Sequence, residues 1–286
     1  MKLTLRLMGG LGNQLFQVNH ALKLSRISKR KIVLDTSWYE MSASSGGVRK
    51  FELIRFDEFR NFEISQRKSR FYDIYRERLL RRLPSKMRNQ LGYYYESDSH
   101  NIIRSTKKNV LIQGHWIDGG EANIILENIT ICKEYVTNEL SKAISLLINE
   151  NVVSIHVRLG DYLQFPDIYG VLKEEYFEQS LERICNQLEC MREEIQIVII
   201  SDGDASKIAE GLKNQGYQVN LIQNLFTLDD LQTFYAMSFA KNLICSNSTF
   251  SWWAGRLNKN LNKNVFFPDN YLNGISSKSL NLLFDS

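Results

Sequence analysis

From about residue 151 onward the chain alternates short apolar segments with amphipathic ones, and this regular alternation restricts its fold more than any other feature. The apolar segments are VVSIHV, IQIVII, QVNLI, NLIC and VFFP, and helical patterns cover 173–191, 204–214 and 228–240 between them. Strands that alternate with helices form parallel sheets with right-handed crossovers and helices on both faces. The second half of the chain is therefore predicted to be a parallel α/β domain.

The first half shows the same pattern with longer insertions. An alternating apolar strand at 3–7 precedes a glycine-rich turn, a helical pattern covers 14–28, and KIVLD at 31–35 predicts a second strand. A chain of 286 residues exceeds the usual size of one domain, roughly 100 to 150 residues. We predict two domains, 1–148 and 149–286.

The charge distribution gives a weak indication of partners. The net charge of +4 is too mild to imply a nucleic-acid partner. Residues 67–88 carry nine Lys and Arg against two acids, a local balance of +7, with apolar residues near helical spacing. Two interpretations stay open for this segment: a solvated helix face, and a peripheral contact with anionic lipid headgroups or a lipid-linked substrate.

No apolar run approaches the roughly 20 residues that a membrane span needs. We therefore expect a cytoplasmic protein, or one that is peripheral on the inner face of the membrane. The four cysteines lack a C-x-x-C pair and the four histidines are scattered, so reduced thiols and no metal site are expected.

Two short motifs allow other interpretations. GGLGNQL at 9–15 fits the dinucleotide fingerprint in part, but Leu15 occupies the position of the third glycine. Asp202 and Asp204 form a D-x-D, the spacing by which metal-dependent glycosyltransferases hold a divalent ion. Asp204 also has the position of a helix N-cap, so the second motif has a purely structural explanation.

Polar side chains follow three of the predicted strands in the second half. His156 and Arg158 follow the first, Asp202 the second, and the turn SNST at 246–249 the fourth. Ligands of parallel sheets bind beyond the carboxyl ends of the strands. A Ser/Thr-rich helix start favours phosphate, and a guanidinium can hold a pyrophosphate through two hydrogen bonds. These turns predict a pocket for a nucleoside diphosphate, although ordinary helix capping would explain each of them separately.

Five segments together resemble glycosyltransferase family eleven, the α-1,2-fucosyltransferases: GGLGNQLFQ, GHW, SIHVRLGDY, ISD and SNSTFSWW, in this order. The resemblance implies a GT-B-like α/β fold, in which two Rossmann-like domains face a cleft. It implies that the C-terminal domain binds GDP-fucose and that the N-terminal domain presents the acceptor. The implied reaction is an inverting transfer of L-fucose from GDP-β-L-fucose to the 2-hydroxyl of a terminal galactose, without a metal or cofactor. The implied acceptor is a galactose-terminated oligosaccharide, which we expect to be lipid-linked in surface polysaccharide or O-antigen synthesis.

The resemblance also assigns roles to residues. Arg158 matches the first arginine of the family's H-x-R-R-x-D motif and is expected to bind the β-phosphate, while Leu159 departs from the usual second arginine. His156 is expected to place the nucleotide, and Asp202 to accept hydrogen bonds from guanine. Further donor contacts are expected at Ser246, Asn247, Ser248, Thr249 and Phe250, and acceptor or cleft contacts at Asn13, Gln14, His115 and Trp116.

An alcohol that attacks an anomeric carbon must lose its proton, and a carboxylate within reach would accept it. Asp161 is our candidate for this general base, with an ion pair to Arg158 as its alternative role and a water relay as the alternative route for the proton. Two other functions stay open at this point. One is a metal-dependent nucleotide-sugar transferase that uses the D-x-D, and the other is a non-catalytic carbohydrate-binding module that lost its donor pocket with the arginine at 159.

Overall fold

The computed structural model describes residues 1–44, 49–65, 79–160, 162–170 and 172–284. The chain divides into two compact units, Met1–Thr130 and Ile131–Ser286, and each unit contains a five-stranded parallel sheet flanked by helices. The α/β class with two Rossmann-like units, expected from the sequence, is confirmed.

The described elements of the N-terminal unit are, in chain order, β1 (Lys2–Arg6), α1 (Leu11–Ser28), β2 (Lys31–Asp35), α2 (Ser37–Ser44), β3 (Glu63–Ser65), α3 (Ser85–Gln90), β4 (Tyr93–Tyr95) and β5 (Asn109–Gln113), with 3-10 segments at Leu53–Arg55 and Glu96–Arg104. The strand order is β3-β2-β1-β5-β4. Leu3, Leu5 and Leu34 are fully buried in the sheet core. Helix α1 ends where Lys29 adopts a left-handed conformation at φ +56°, which turns the chain into β2.

Arg30 fixes the start of this sheet. Its side chain is buried, and its guanidinium donates to the backbone carbonyls of Ser105, Lys107 and Lys108 at 2.8 to 3.3 Å. The segment before β5 is thereby tied to the segment between α1 and β2, because one side chain satisfies three carbonyls.

The described elements of the C-terminal unit are α4 (Asn138–Leu147), β6 (Val152–Val157), α5 (Pro166–Tyr169), α6 (Glu174–Leu188), β7 (Gln196–Ser201), α7 (Ser206–Asn214), β8 (Gln218–Leu221), α8 (Ile222–Leu225), α9 (Asp230–Met237), β9 (Asn242–Ile244), α10 (Thr249–Arg256), β10 (Asn264–Phe266), β11 (Asn270–Leu272) and β12 (Ile275–Ser276), with 3-10 segments at Lys133–Tyr135, Arg192–Glu194 and Lys278–Leu280. The large sheet has the order β10-β9-β6-β7-β8, and β11 and β12 form a separate hairpin. Every residue of β6 is buried, as expected for a central parallel strand covered on both faces.

The structure divides the chain between Thr130 and Ile131, earlier in the sequence than the predicted boundary between 148 and 149. Helix α4 belongs to the C-terminal unit, because it packs against α9 and β6. Gln232 of α9 donates to the carbonyl of Tyr135 at 3.0 Å, which ties the segment before α4 to the same unit. The end of a helical pattern therefore does not coincide with the end of a domain here.

The basic segment 67–88 is described only from residue 79 onward. Leu79, predicted to lie on an apolar face, is 62% exposed, whereas Leu80 is buried. Arg88 is buried, pairs with Asp98 at 3.0 Å and donates to a backbone carbonyl, so it holds the fold together instead of presenting a surface charge. Within the described ranges, no helix has the length and apolar character needed to cross a membrane.

Candidate functional site

The carboxyl ends of β9, β6 and β7 lie side by side in the C-terminal sheet, and this brings the predicted donor residues together. His156 of β6 and Ser246, which follows β9, are joined by a hydrogen bond of 2.6 Å between Nδ1 and Oγ. Arg158, just after β6, forms an ion pair with Asp202, just after β7. The three turns that the sequence pointed to therefore form one constellation.

Asp202 holds Arg158 in a fixed position. Its Oδ1 accepts hydrogen bonds from the backbone N–H groups of Leu159 and Gly160 at 2.8 and 3.1 Å, while Oδ2 contacts Nη1 of Arg158. The Arg158 side chain is 13% exposed and that of Asp202 30%, so water only partly screens the pair. Asp202 was expected from the sequence to accept hydrogen bonds from guanine. In the structure both of its oxygens serve the Arg158 turn.

Two glycines permit this close approach. A Cβ at Gly160 would lie 2.6 Å from Oδ2 of Asp202, and a Cβ at Gly203 would lie 2.9 Å from the Cβ of Leu159. Distances this short between such atoms do not occur without displacement, so a larger residue at 160 would displace the Asp202 carboxylate, and one at 203 would push the two turns apart. The glycines therefore set the distance between Arg158 and Asp202.

Leu159 stands where the family usually has a second arginine, and its environment explains why a leucine fits. The side chain is 8% exposed and belongs to the apolar core of the C-terminal unit together with Val157 and Ala205. The backbone N–H of Leu159 contributes to the Asp202 contact, but the side chain points into the core. In this chain the position has a packing role, and Arg158 is the cation held at the turn.

His156 is a neutral imidazole at physiological pH. Burial lowers its pKa to about 4, and the charge of Arg158 acts in the same direction, while Asp202 opposes both effects. The ring stacks on Phe250 with centroids 5.5 Å apart, which fixes the orientation of the imidazole. His156 thus contributes a hydrogen-bonding and packing surface without a charge.

The SNST turn begins α10. Ser248 is the N-cap, and its Oγ accepts a hydrogen bond from the N–H of Phe250 at 3.3 Å. Thr249 and Phe250 are half-buried at this end of the helix, which carries the positive end of the helix dipole. The predicted Ser/Thr cap is present, and Phe250 links it to His156.

Asn247, for which a donor contact is predicted, makes several hydrogen bonds within the protein. Its buried amide donates to the backbone carbonyls of Tyr169, Gly170 and Tyr271 at 2.9 to 3.1 Å. The backbone carbonyl of Asn247 accepts a hydrogen bond from the hydroxyl of Tyr162 at 2.8 Å. Asn247 therefore holds the loop after β6 and the β11 hairpin against the SNST turn.

Tyr162 is a site residue that sequence reasoning did not single out. Its ring lies under the guanidinium of Arg158, with Cζ 5.5 Å from the ring centroid, and stacks on Tyr169 at 4.4 Å. The signal was the tyrosine at the end of SIHVRLGDY. Asp161, the candidate general base, lies outside the described residues.

The D-x-D pair is not arranged as one unit. Asp202 faces the Arg158 turn, whereas the Asp204 carboxylate accepts hydrogen bonds from Ser206. The Ser206 hydroxyl, and to a smaller extent its N–H, which donates to Oδ1 at 2.9 Å, lower the pKa of Asp204. In the part of the chain that the structure describes, no group of three or more His, Cys, Asp or Glu side chains is placed to hold a metal ion.

In the N-terminal unit, the predicted residues after β1 have unequal roles. Gln14 is fully buried and donates to the carbonyls of Gly9 and Lys50, while its side-chain oxygen accepts from the N–H of Glu52. It holds two loops together, and the cleft contact expected for it stays a prediction. Asn13 is half-buried, and its amide packs against Gly9, where φ is +77° and a Cβ would lie 2.8 Å from Nδ2.

The GHW segment after β5 is held by Glu96. Its two carboxylate oxygens accept from the N–H groups of His115 and Trp116 at 2.9 and 2.8 Å. A Cβ at Gly114 would lie 2.6 Å from the Cβ of Glu96, so glycine is required there. Trp116 adopts φ +50°, a conformation that a bulky residue occupies only when its surroundings impose it.

The indole of Trp116 stacks on His20 with centroids 4.4 Å apart, so one face of the ring is covered. Ser99 accepts from Nε1 of Trp116 at 3.1 Å and contacts Nε2 of His20 at 3.0 Å. Burial lowers the pKa of His20 to about 4, with a smaller effect from Lys23. His115 is exposed. Sequence reasoning missed Glu96, Ser99 and His20, because all three lie far from GHW along the chain.

Comparison with known sequences also indicates a glycosyltransferase. The sequence model of the family described as Glycosyl transferase family 11 matches residues 123–272, more than half of the chain. The Escherichia coli O-antigen biosynthesis glycosyltransferase WbnK is 28% identical over 300 aligned positions, which cover 96% of this chain and 97% of WbnK. An Escherichia coli alpha-1,2-colitosyltransferase is 26% identical and covers 88% of this chain and 86% of its own length.

Two solved structures share the fold. A variant of Arabidopsis thaliana FUT1 in complex with GDP has a TM-score of 0.52 at 12% identity, over 94% of this chain and 72% of that one. POFUT1 in complex with GDP-fucose has a TM-score of 0.53 at 11% identity, over 93% and 97%. The GT-B-like fold expected from the sequence is confirmed.

Proposed function

Because the chain belongs to glycosyltransferase family 11, we propose that it transfers L-fucose from GDP-β-L-fucose to the 2-hydroxyl of a terminal galactose. The observation that carries the proposal is Arg158, held by Asp202 beside the SNST turn. The likeness to WbnK supports a place in O-antigen synthesis, with a galactose-terminated, lipid-linked oligosaccharide as acceptor.

The proposed reaction breaks the bond between the anomeric carbon and a phosphate oxygen. The electron pair of that bond leaves with GDP, and Arg158 stabilises the negative charge that develops on the β-phosphate. The 2-hydroxyl of galactose attacks the opposite face of the anomeric carbon, which inverts its configuration. Its proton passes to a base, for which Asp161 remains our candidate. Because the guanidinium charge is permanent, this leaving-group stabilisation requires no metal or cofactor.

Asp202 acts in this scheme by positioning Arg158. Its Oδ1 is occupied by the N–H groups of Leu159 and Gly160, and its Oδ2 by the guanidinium. A preorganised cation costs no reorganisation at the moment when charge develops. We propose this positioning role in place of the guanine contact that the sequence suggested.

The acceptor side is proposed to involve the GHW segment. Glu96 fixes the backbone of His115 and Trp116, and one face of the indole packs on His20. The remaining surface of Trp116, together with exposed His115 and half-buried Asn13, offers the combination of aromatic and polar groups that sugar rings bind.

The relative named as a colitosyltransferase supports a second candidate for the donor sugar. Colitose is L-fucose without its 3-hydroxyl, so the same leaving-group machinery would serve GDP-colitose. Competition between the two donors distinguishes them. A site that hydrogen-bonds the 3-hydroxyl would strongly prefer GDP-fucose, because the deoxy sugar leaves a polar group unpaired.

The test is transfer from GDP-fucose to lactose in excess EDTA, with GDP release followed continuously and the trisaccharide identified by mass spectrometry. We expect product from the wild type and its loss in Arg158→Ala. Arg192→Ala is the matched control, because Arg192 is an exposed cation of the same unit that pairs with Glu182. We expect its activity to be unchanged.

Other outcomes would overturn parts of the proposal. Product that requires added Mn²⁺ would favour the D-x-D transferase, and saccharide binding without GDP-fucose binding would favour a carbohydrate-binding module. Transfer from GDP-colitose alone would reassign the donor.

A further inference from the structure

Positive charge is concentrated at one edge of the N-terminal sheet, where the amino-terminal ends of its strands lie. All its strands are parallel, and the register aligns Lys2 with Lys31 on one side and with Asn109 on the other. The starts of β1, β2 and β5 therefore lie next to each other, and the residues that precede them share one surface. The end of α1 and the end of the Glu96–Arg104 segment reach the same edge, because each leads directly into one of these strands.

We call this surface the basic edge and define it by its exposed side chains. Its cations are Lys2, Arg26, Lys29, Lys31, Arg104, Lys107 and Lys108, and its exposed apolar residues are Met1, Ile27 and Ile103.

The backbone that carries these residues is fixed by the fold. The N–H of Lys2 donates to the carbonyl of Lys108, and the N–H of Lys31 to that of Met1, both at 3.0 Å. Buried Arg30 bonds the carbonyls of Lys107 and Lys108. The backbone that carries the cations of the basic edge is therefore held in place by hydrogen bonds.

Among the residues that the structure describes, acidic side chains do not balance this charge. Glu63 pairs with Lys2 at 2.5 Å and with Lys31 at 3.4 Å, and these pairs are exposed to water. Asp57, before β3, pairs with Arg60. In the described part of the chain, seven exposed cations with one paired carboxylate leave a concentrated positive field. At the carboxyl ends of the strands, Asp35 is paired with Arg6, and Glu96 supplies negative charge beside the GHW segment.

We propose that the basic edge docks on an anionic lipid bilayer. The charge alone would suit any polyanion, but the apolar residues among the cations favour a lipid surface. Met1 is 61% exposed, Ile27 52% and Ile103 48%. Cations bind the headgroups while apolar side chains enter the boundary with the acyl chains, and this combination is typical of peripheral membrane proteins. The loops after β1 and β5 follow the opposite ends of these strands, so this contact with lipid does not involve them.

Sedimentation with vesicles tests the proposal directly. We expect the wild type to bind phosphatidylcholine vesicles that contain phosphatidylglycerol and not those of phosphatidylcholine alone. In the triple variant Lys31→Gln, Lys107→Gln and Lys108→Gln, binding should fall on the order of a hundredfold, since each lysine near an anionic surface contributes about fivefold. The matched control neutralises three exposed lysines of the C-terminal unit: Lys142→Gln, Lys207→Gln and Lys213→Gln. We expect its binding to stay within about twofold of the wild type.

Replacing Ile27 and Ile103 by serine separates a lipid surface from a soluble polyanion. We expect weaker vesicle binding with unchanged binding of dextran sulfate. Equal losses in the two lysine variants would overturn the basic edge as the docking surface, as would a wild type that does not bind anionic vesicles. Serine variants with full vesicle binding would overturn insertion of the apolar residues. The assay uses no sugar donor, so it is independent of the proposed transferase reaction, and circular dichroism confirms that each variant is folded.

Discussion

The loops after β5 and after β6 are fixed in the same way but present different chemical groups. After β5, Glu96 accepts from the successive N–H groups of His115 and Trp116. After β6, Asp202 accepts from the successive N–H groups of Leu159 and Gly160. In both loops a carboxylate from a neighbouring strand end fixes the backbone, and a glycine makes room for it.

The difference lies in what each carboxylate presents. Glu96 uses both oxygens on backbone N–H groups, and the loop it fixes carries an indole stacked on a neutral imidazole. Asp202 uses one oxygen on the backbone and the other on Arg158. One loop therefore offers an aromatic surface, which suits a sugar, and the other offers a cation, which suits a phosphate. A small change in how a carboxylate is shared decides the chemistry of a loop.

Among the substitutions that leave Arg158 in place, the largest effect is expected from Gly160→Ala. The new methyl group would lie 2.6 Å from Oδ2 of Asp202 and must separate the carboxylate from Arg158. We expect kcat/KM to fall at least about a hundredfold, the loss typical of removing one preorganised group that stabilises developing charge. Steady-state transfer to lactose measures it.

Gly211→Ala is the control for that substitution, because a Cβ at Gly211 meets nothing within 4 Å. It lies inside helix α7, so the free energy of unfolding should rise by about 0.5 to 1 kcal/mol with unchanged activity. A fully active Gly160→Ala enzyme would show that the close approach of the two turns is unimportant.

Asp202→Asn should have an intermediate effect. The amide oxygen still accepts from the N–H groups of Leu159 and Gly160, but the ion pair with Arg158 is lost. Losing a hydrogen bond to a charged group costs about 1.5 to 3 kcal/mol, so kcat/KM should fall roughly ten- to a hundredfold. The preference for GDP over inosine diphosphate, which lacks the 2-amino group, should not change. A loss of that preference would restore the guanine role for Asp202.

Glu96→Gln should act on the other loop and more weakly. One carboxylate oxygen becomes an amide nitrogen that cannot accept from an N–H group, so one of the bonds to His115 and Trp116 is lost. We expect KM for the acceptor to rise several-fold, because about 1 kcal/mol is the usual worth of such a bond. KM for GDP-fucose should stay unchanged. An equal effect on both substrates would contradict the assignment of this loop to the acceptor.

Protonation of His20 and His156, the two imidazoles with lowered pKa values, should have the smallest effect near neutral pH, where both are uncharged. The pKa values of His20 and His156 are lowered to about 4, below the unfolded value near 6.5. The folded state therefore binds fewer protons, and stability that is complete above pH 6.5 is lost as the pH falls toward 4. Each histidine should lower the free energy of unfolding by about 1.4 kcal/mol per pH unit in this range. Denaturation from pH 7 to pH 5 in His20→Asn and His156→Asn, each against the wild type, measures the two contributions; a wild-type stability independent of pH would contradict them.

Local patterns predicted much of the fold and part of the site. The strand and helix order of the C-terminal unit and the Ser248 cap follow from periodicity and capping, which act within a few residues. The contacts of Glu96 with GHW join residues 19 and 20 positions apart, and those of Asp202 join residues 42 and 43 apart. No local pattern encodes such pairs, because they depend on which strand ends become neighbours.

The same reason explains why Gln14 and Asn247 were assigned to ligands. Both are polar residues in motifs at strand ends, which is where ligands bind. In the structure, Gln14 bonds the backbone of residues 50 and 52, and Asn247 bonds Tyr169, Gly170 and Tyr271. A motif identifies residues that matter without saying whether they contact a ligand or hold the loops that do.

A double-mutant cycle between Arg158 and Asp202 tests the central claim most directly. The activities of Arg158→Ala, Asp202→Asn and the double variant are compared with that of the wild type in transfer from GDP-fucose to lactose. If Asp202 acts by positioning Arg158, its substitution should cost roughly ten- to a hundredfold in the wild type and almost nothing once Arg158 is absent. Losses that multiply in the double variant would show that Asp202 acts independently of the arginine and would contradict the account.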